Sequence, residues 1–131
     1  MAHTWTATTP EGWRAAADVL NTFDVAVIQH EYGIYPGHDG DEVLPLLRAV
    51  KVPTIVVLHT VLSSPSMTQR VVLERIVAAA DAVITMTDTA RQRLTTGYRV
   101  DARKVTVIPP GAGSHSSAPR EAHDVPHLLT W

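Results

Sequence analysis

Four short runs of apolar residues recur along this chain, and a segment with helical periodicity precedes each of them. The strands predicted from these runs are Asp24–Gln29, Thr54–Leu58, Ala82–Met86 and Lys104–Ile108. The runs are apolar throughout instead of alternating with polar residues, which is typical of parallel strands covered on both faces. Four helix–strand units in succession therefore predict an α/β protein with a Rossmann-like parallel sheet, helices on both faces and right-handed crossovers.

Capping signals predict where the helices begin and end. The four helices are expected to begin near Pro10, Asp41, Ser66 and Thr87. Ser66 and Gln69 have the spacing of a capping box, in which each side chain bonds to a backbone N–H of the other residue. Gly97 is a natural stop for the last helix. Pro45 falls inside the second helix and is expected to weaken or bend its first turns.

Composition excludes several classes of function. The chain has 131 residues, of which 45% are hydrophobic and 18% charged, and this fits one globular domain with a real core. A net charge of −2 argues against electrostatic binding of nucleic acid or membranes. The absence of cysteine removes disulfides, thiolate nucleophiles and cysteine-based zinc sites together. With no apolar signal core and no membrane span in the sequence, we expect a cytoplasmic protein.

A change in composition near residue 113 indicates a domain boundary. Residues 114–126 are rich in Ser, His, Pro and Ala and are predicted to be a linker. Residues 127–131, HLLTW, have the pattern of a strand, and one strand cannot form a domain. We therefore expect residues 1–113 to form one folded domain and residues 127–131 to begin a second, truncated domain.

The candidate functional residues lie just beyond the carboxyl ends of predicted strands. They are the loop from Gln29 to Gly40, the pair His59-Thr60 and the pair Thr87-Asp88, with Pro110-Gly111 completing the rim. Open α/β sheets bind their ligands at this edge. His59 is the sharpest single candidate because it directly follows an apolar strand, and its imidazole can exchange a proton or hold a sugar hydroxyl near neutral pH.

The loop after the first strand leaves other interpretations open. A metal-dependent hydrolase would bring His30, His38 and Asp39 to one ion, but His30-Glu31 lacks the second histidine four residues on that a zincin helix requires. No phosphate-binding loop and no nucleophile elbow is present in the sequence. A strand-to-helix turn with solvated side chains is the alternative without chemistry, as is a histidine at position 59 that only satisfies loop carbonyls.

Three motifs in this order carry a family resemblance: HEYGI at residues 30–34, LHTVL at residues 58–62 and IPPG at residues 108–111. Together with the intervening segments, they resemble the N-terminal domain of GT-B glycosyltransferases. The similarity is greatest to the retaining, nucleotide-sugar-dependent enzymes of the family 4-like, group 1 type, which include many bacterial mannosyl- and glucosyltransferases. It extends from about Asp24 to Gly111, and HLLTW resembles the first strand of that family's C-terminal domain.

The resemblance implies one half of a GT-B fold, in which two Rossmann-like domains face each other across a cleft. The N-terminal domain binds the acceptor, and the C-terminal domain binds most of the nucleotide sugar from which a hexose is transferred. His59 matches the histidine beside the transferred sugar and is the implied catalytic residue. The implied substrate-binding residues are Glu31, Tyr32, Gly33, Thr60, Thr87 and Gly111. Neither a cofactor nor a metal is implied.

Two departures from the family pattern change the expected activity. Pro110 stands where the family commonly has histidine, so any donor contact from that residue is lost. The family's first strand, its glycine-rich loop and its C-terminal donor-binding residues find no match in the sequence. We therefore expect a truncated domain that is inactive without the missing C-terminal domain and is able to self-associate through an open sheet edge. The alternative is a stand-alone Rossmann-like module that binds a small ligand or regulates.

Overall fold

The computed structural model describes residues 12–111 of the chain. Its helices are α1 Gly12–Leu20, α2 Val43–Ala49, α3 Met67–Ala79 and α4 Asp88–Gly97, and its strands are β1 Ala26–His30, β2 Thr54–Leu58, β3 Ala82–Thr85 and β4 Val105–Val107. Short 3₁₀ turns cover His38–Gly40 and Ala102–Lys104. Within the described residues, no helix combines the length and the apolar character needed to cross a membrane. The expected cap of the first helix at Thr9-Pro10 and the expected domain boundary both lie outside this range.

The four strands form one sheet in the order β1-β2-β3-β4, and every neighbouring pair is parallel. The parallel, Rossmann-like α/β fold predicted from the sequence is thereby confirmed. In the register, Gln29 of β1 lies beside Val57 of β2, and Val57 lies beside Ile84 of β3. The carboxyl ends of β1 and β2 therefore finish side by side at one edge of the sheet.

The hydrophobic core lies on one face of the sheet. Burial alternates along β1, so that Ala26, Ile28 and His30 point inward while the residues between them are exposed. Each of the four helices contributes to the same core, and their contributions are Ala17 from α1, Leu47 from α2, Leu73 and Ile76 from α3, and Leu94 from α4. Right-handed crossovers that always step in one direction across a sheet place every connecting helix on the same side, which agrees with this single core.

The opposite face of the sheet is apolar and partly open. Val27 is 53% exposed and Val25 and Ile108 are similarly accessible, while Val57 and Ile84 are half-buried. The apolar strands predict a second covering layer, and that layer is not found among residues 12–111. One face of the sheet is thus covered by helices, and within the described residues the other face is partly exposed to solvent.

The helix ends are stabilised as the sequence indicates. Ser66 and Gln69 form the complete capping box at the start of α3, and the Thr87 hydroxyl caps α4 by accepting from the Ala90 N–H. Pro45 occupies the third residue of α2, where its missing N–H breaks no bond within the helix. At the far end of α3, the Lys104 ammonium donates to the carbonyls of Ala78 and Ala80 at 3.1 and 2.7 Å, a favourable place for a cation.

Side chains at the amino edge of the sheet tie the layers together. The Asp81 carboxylate accepts from the Thr54 N–H at 2.7 Å, and the Asp81 N–H donates to the Thr54 carbonyl at 2.9 Å. The Asn21 amide donates to the Ala49 carbonyl at 3.1 Å and accepts from the Lys51 N–H at 2.6 Å. These bonds join the start of β2 to the residue before β3, and the end of α1 to the segment between α2 and β2.

Candidate functional site

The first pair of candidate side chains joins the ends of β1 and β2. The imidazole Nε2 of His59 lies 2.7 Å from the amide Oε1 of Gln29. Gln29 and Val57 share a register position, and side chains two residues apart on a strand point to the same face. His59 therefore continues the open face of the sheet, beside Gln29. The His59 N–H donates to the His30 carbonyl at 3.0 Å, which extends the strand pairing by one bond.

The second pair lies next to the first. The Thr60 hydroxyl donates to Glu31 Oε2, and the Tyr32 N–H donates to Glu31 Oε1 at 2.9 Å. One bond to each oxygen fixes the orientation of the carboxylate and leaves further lone pairs available, because a carboxylate can accept about four hydrogen bonds. The structure thus brings the predicted residues His59, Thr60, Glu31 and Tyr32 together at one sheet edge.

His30 is buried behind this edge, on the covered face of the sheet. Its side chain is fully buried, and neither ring nitrogen has a hydrogen-bond partner among the described residues. Its ring lies edge-on to Tyr32 and parallel to Tyr35, with centroids 5.2 and 6.3 Å apart. Burial lowers the pKa of His30 from its usual 6.5 to about 4; Glu31 acts in the opposite direction and His59 in the same one. His30 is therefore a neutral residue that anchors the loop after β1.

The loop from Glu31 to Gly40 depends on a tight turn at its far end. Gly37, Asp39 and Gly40 have φ angles of 89°, 55° and 75°, a region that glycine adopts readily and other residues adopt at a cost. Gly33 does not have a positive φ, and a Cβ added there would contact nothing within 4 Å. Of the three glycines in this loop, Gly37 and Gly40 therefore have a backbone geometry that favours glycine, and Gly33 does not.

The loop is attached to the first turn of α3 and to β1. The Gln69 amide donates to the Asp39 carboxylate at 3.3 Å, and the Tyr32 hydroxyl donates to the Gln69 carbonyl at 3.4 Å. The Tyr35 hydroxyl donates to the Gln29 carbonyl at 2.8 Å. Burial raises the pKa of both tyrosine hydroxyls, so these groups remain hydrogen-bond donors throughout the neutral range.

The remaining predicted site residues are placed apart from this network. The Thr87 hydroxyl is engaged as the N-cap of α4. Gly33 and Gly111 are exposed, and neither has atoms within 4 Å of an added Cβ. Pro110, at the position of the family's histidine, is also exposed. None of these residues forms a hydrogen bond with His59 or Glu31 in the part of the chain that the structure describes.

The metal-site hypothesis has no matching geometry in residues 12–111. His30 is enclosed by tyrosine rings, whereas the His38 side chain is 76% exposed and contacts Asp39 at 3.2 Å. No cluster of three or more histidine or carboxylate side chains suitable for an ion occurs within this range. The side chains that the metal-dependent hydrolase requires at one ion are thus not brought together there.

Two residues of the network were not singled out by the sequence analysis. In the sequence, Gln29 is marked only as the first polar residue after an apolar run, although it is the hydrogen-bond partner of His59. The available signal was strand parity, because Gln29 and His59 fall on the same face once the two strands are aligned in parallel. Tyr35, which supports the loop and the Gln29 carbonyl, had no comparable signal.

The family comparison is consistent with this geometry. The family model for Glycosyltransferase Family 4 matches residues 3–112, which is most of the chain. The chain belongs to glycosyltransferase family 4. Neither the curated proteins nor the solved structures contain a significant match. The resemblance recognised from the three motifs is thereby confirmed at the level of the family.

The polar edge of this family 4 domain is suited to binding hydroxyl groups. Gln29, Glu31, His59 and Thr60 offer amide, carboxylate, imidazole and hydroxyl functions, which hydrogen-bond sugar hydroxyls in either direction. No lysine or arginine of residues 12–111 takes part in the hydrogen bonds of these four side chains. These four side chains can therefore recognise a neutral polar ligand, and none of them is a lysine or arginine that could pair with a phosphate.

We expect Gly40→Ala to destabilise the domain while Gly33→Ala does not. At Gly40, an added Cβ would lie 2.8 Å from the Tyr32 carbonyl oxygen with φ at 75°, whereas Gly33 meets neither condition. Urea denaturation should show a loss of more than about 1 kcal/mol for Gly40→Ala and a change within about 0.5 kcal/mol for Gly33→Ala. Equal effects of the two substitutions would contradict the assigned loop geometry.

We expect stability to fall as the pH drops from 7 to 5, because the pKa of His30 is about 4 in the folded chain and near its usual 6.5 in the unfolded chain. The unfolded state then binds more protons in this interval, so the free energy of unfolding decreases by about 2 kcal/mol. Urea titrations at several pH values measure this change. The slope should disappear in His30→Phe, which keeps an aromatic ring, and persist in His38→Ala. A flat profile for the unmodified chain would contradict the burial of a neutral His30.

Proposed function

We propose that this chain is the acceptor-side, N-terminal domain of a retaining GT-B glycosyltransferase, which transfers a hexose from a nucleotide sugar to an acceptor. The observation that carries the proposal is the network of Gln29, His59, Glu31 and Thr60 at the carboxyl edge of a family 4 domain. Ligands of open α/β sheets bind at this edge. Sugar hydroxyls match the chemistry of these four side chains.

Each predicted residue has a role in this proposal. His59 hydrogen-bonds the transferred hexose and is the proposed catalytic residue. Glu31, oriented by Tyr32 and Thr60, accepts a hydrogen bond from the acceptor hydroxyl. Gly33 keeps the loop beside it free of side-chain bulk. The proposed outer rim consists of Thr87 and Gly111.

The chemistry requires a second wall facing the first. In hexosyl transfer, positive charge develops at the sugar while negative charge develops on the departing phosphate, and both need preorganised polar groups in a site from which water is excluded. Gln29, Glu31, His59 and Thr60 include no lysine or arginine, so we infer that the diphosphate is bound by other residues. We assign that task to a C-terminal GT-B domain that would begin at residues 127–131, after a linker at residues 114–126. The domain of residues 1–113 alone is then inactive.

The decisive test joins the chain to its proposed partner. A fusion to the C-terminal domain of a family 4 glycosyltransferase should acquire hexosyl transfer from UDP- or GDP-sugars, measured by release of the nucleotide. His59→Ala should lower kcat/KM at least about 100-fold, since it removes a polar group from the reacting sugar. His38→Ala, in the loop after β1 and 76% exposed, is the control and should leave the rate unchanged. Equal rates for the two variants would refute the role of His59.

A stand-alone binding module is the second candidate, and the polar edge by itself favours it as well. Calorimetric titration of the unfused chain with UDP-glucose and GDP-mannose separates the two functions. The acceptor-side domain should give no measurable heat with either nucleotide sugar. Saturable binding by the isolated chain, abolished in His59→Ala, would establish a self-sufficient ligand site in its place.

We further propose that the isolated chain self-associates along β1, with a second copy as the partner. Among the described residues, β1 pairs only with β2. Val27 within β1 and Val25 just before it are exposed apolar side chains. An edge strand of this kind is a ready site for pairing with another chain. Sedimentation velocity should show a dimer that dissociates in Val27→Lys. The control is Val71→Lys on the outside of α3, which should remain dimeric; a chain that is monomeric at every concentration would exclude the interface.

A further inference from the structure

The environment of the two His59 ring nitrogens differs. Nε2 lies 2.7 Å from the Gln29 side-chain oxygen. Nδ1 has no hydrogen-bond partner among residues 12–111, and the side chain is exposed at the open face of the sheet. One nitrogen is thus engaged by the protein, and the other is available to a ligand.

The chemistry of the amide oxygen determines which nitrogen carries the proton. A side-chain carbonyl oxygen has lone pairs and no hydrogen, so it can only accept. With the Gln29 amide in this orientation, the 2.7 Å contact is a hydrogen bond in which Nε2 carries the proton and donates to the amide oxygen. In a neutral imidazole the other nitrogen is then unprotonated, and Nδ1 presents a lone pair to the solvent-exposed side.

Both members of this pair are held in place by the backbone. Gln29 lies within β1, and its carbonyl accepts from the Tyr35 hydroxyl at 2.8 Å. His59 directly follows β2, and its N–H donates to the His30 carbonyl. The parallel register places both side chains on one face of the sheet. The contact thus arises between positions fixed by strand pairing.

We propose that Gln29 is a positioning residue that holds His59 as the neutral, Nε2-protonated imidazole, so that Nδ1 accepts a hydrogen bond from a ligand hydroxyl. The binding of a sugar hydroxyl by Nδ1 rests on the proposed function, whereas the role of Gln29 in holding the tautomer does not. The hydrogen bond to the ligand then has a direction: the ligand donates and His59 accepts.

The direction gives the site a chemical preference. A hydroxyl group has a hydrogen to donate to Nδ1, whereas the diphosphate of a nucleotide sugar or a carboxylate offers only acceptor oxygens at neutral pH. Two facing acceptors repel each other, so a neutral His59 in this form disfavours an anion at the same place. The pair therefore selects the sugar over the phosphate of a nucleotide sugar at this point of the cleft.

Nitrogen-15 NMR of the histidine rings tests the first half on the unliganded full chain. At pH 8, above the ordinary titration range of imidazole, His59 should be in the Nε2-protonated form. Gln29→Leu should lower the ratio of the Nε2-protonated to the Nδ1-protonated form about fivefold, as the loss of one ordinary hydrogen bond implies. Gln29→Glu keeps an oxygen acceptor and should restore the ratio, and Gln92→Leu, the same exchange on the exposed side of α4, should not change it.

A His59 that is protonated on Nδ1 in the unmodified chain, or a ratio that Gln29→Leu leaves unchanged, would overturn the role of Gln29. Circular dichroism of each variant separates a local change from a loss of fold. Because this measurement needs no substrate, its result does not depend on whether the protein transfers a hexose.

The second half is tested by adding two probes to the same labelled chain at equal ionic strength, each at a concentration high enough to detect binding that is too weak for calorimetry. Methyl α-D-glucopyranoside should move the Nδ1 resonance of His59, and dimethyl phosphate, a diester without an O–H group, should not. Any other pattern, including a response to neither probe, overturns recognition of a hydroxyl by Nδ1. If the glucoside response is present but the fused enzyme transfers no sugar, the hydrogen-bond assignment survives and the proposed function fails.

Discussion

The direction in which the chain crosses its sheet is the constraint on which the other features depend. Four parallel strands follow one another in spatial order, and right-handed connections that never reverse place their helices on one side. One face thereby acquires the whole core of the described residues, and the other keeps apolar side chains in partial contact with solvent. The polar network lies where the open face meets the carboxyl edge, so its accessibility follows directly from the topology.

Gln29 and His30, the last two residues of β1, have different roles because successive side chains of a strand point to opposite faces of the sheet. Gln29 points to the open face and engages His59, while His30 points into the core with neither nitrogen bonded. Burying an imidazole without a partner costs free energy, and the contacts with Tyr32 and Tyr35 offset part of that cost through ring packing. The buried His30 ring packs against Tyr32 and Tyr35, and these contacts hold the base of the loop against the sheet beside the candidate site.

Local rules of sequence were sufficient for much of the fold. The limits of β2, the capping box at Ser66 and the cap at Thr87 appear in the structure as predicted, because each depends on residues close together in the chain. The coverage of the sheet was not predictable in this way, since apolar strands reveal that a face avoids water but not what covers it. The contact of Gln29 with His59 spans thirty positions, and it required the strand register before it could be recognised.

The side chain of Gln69 has two tasks that cannot be separated. Its oxygen caps the first turn of α3 through the Ser66 N–H, and its nitrogen holds the Asp39 carboxylate in the loop after β1. A displacement of that loop by a bound molecule would therefore disturb the helix cap, although no ligand touches the helix. Amide hydrogen exchange in the first turn of α3 would then vary with the state of the loop. Exchange at the capping box would thus report whether a ligand is bound at the sheet edge, even though the ligand does not contact α3.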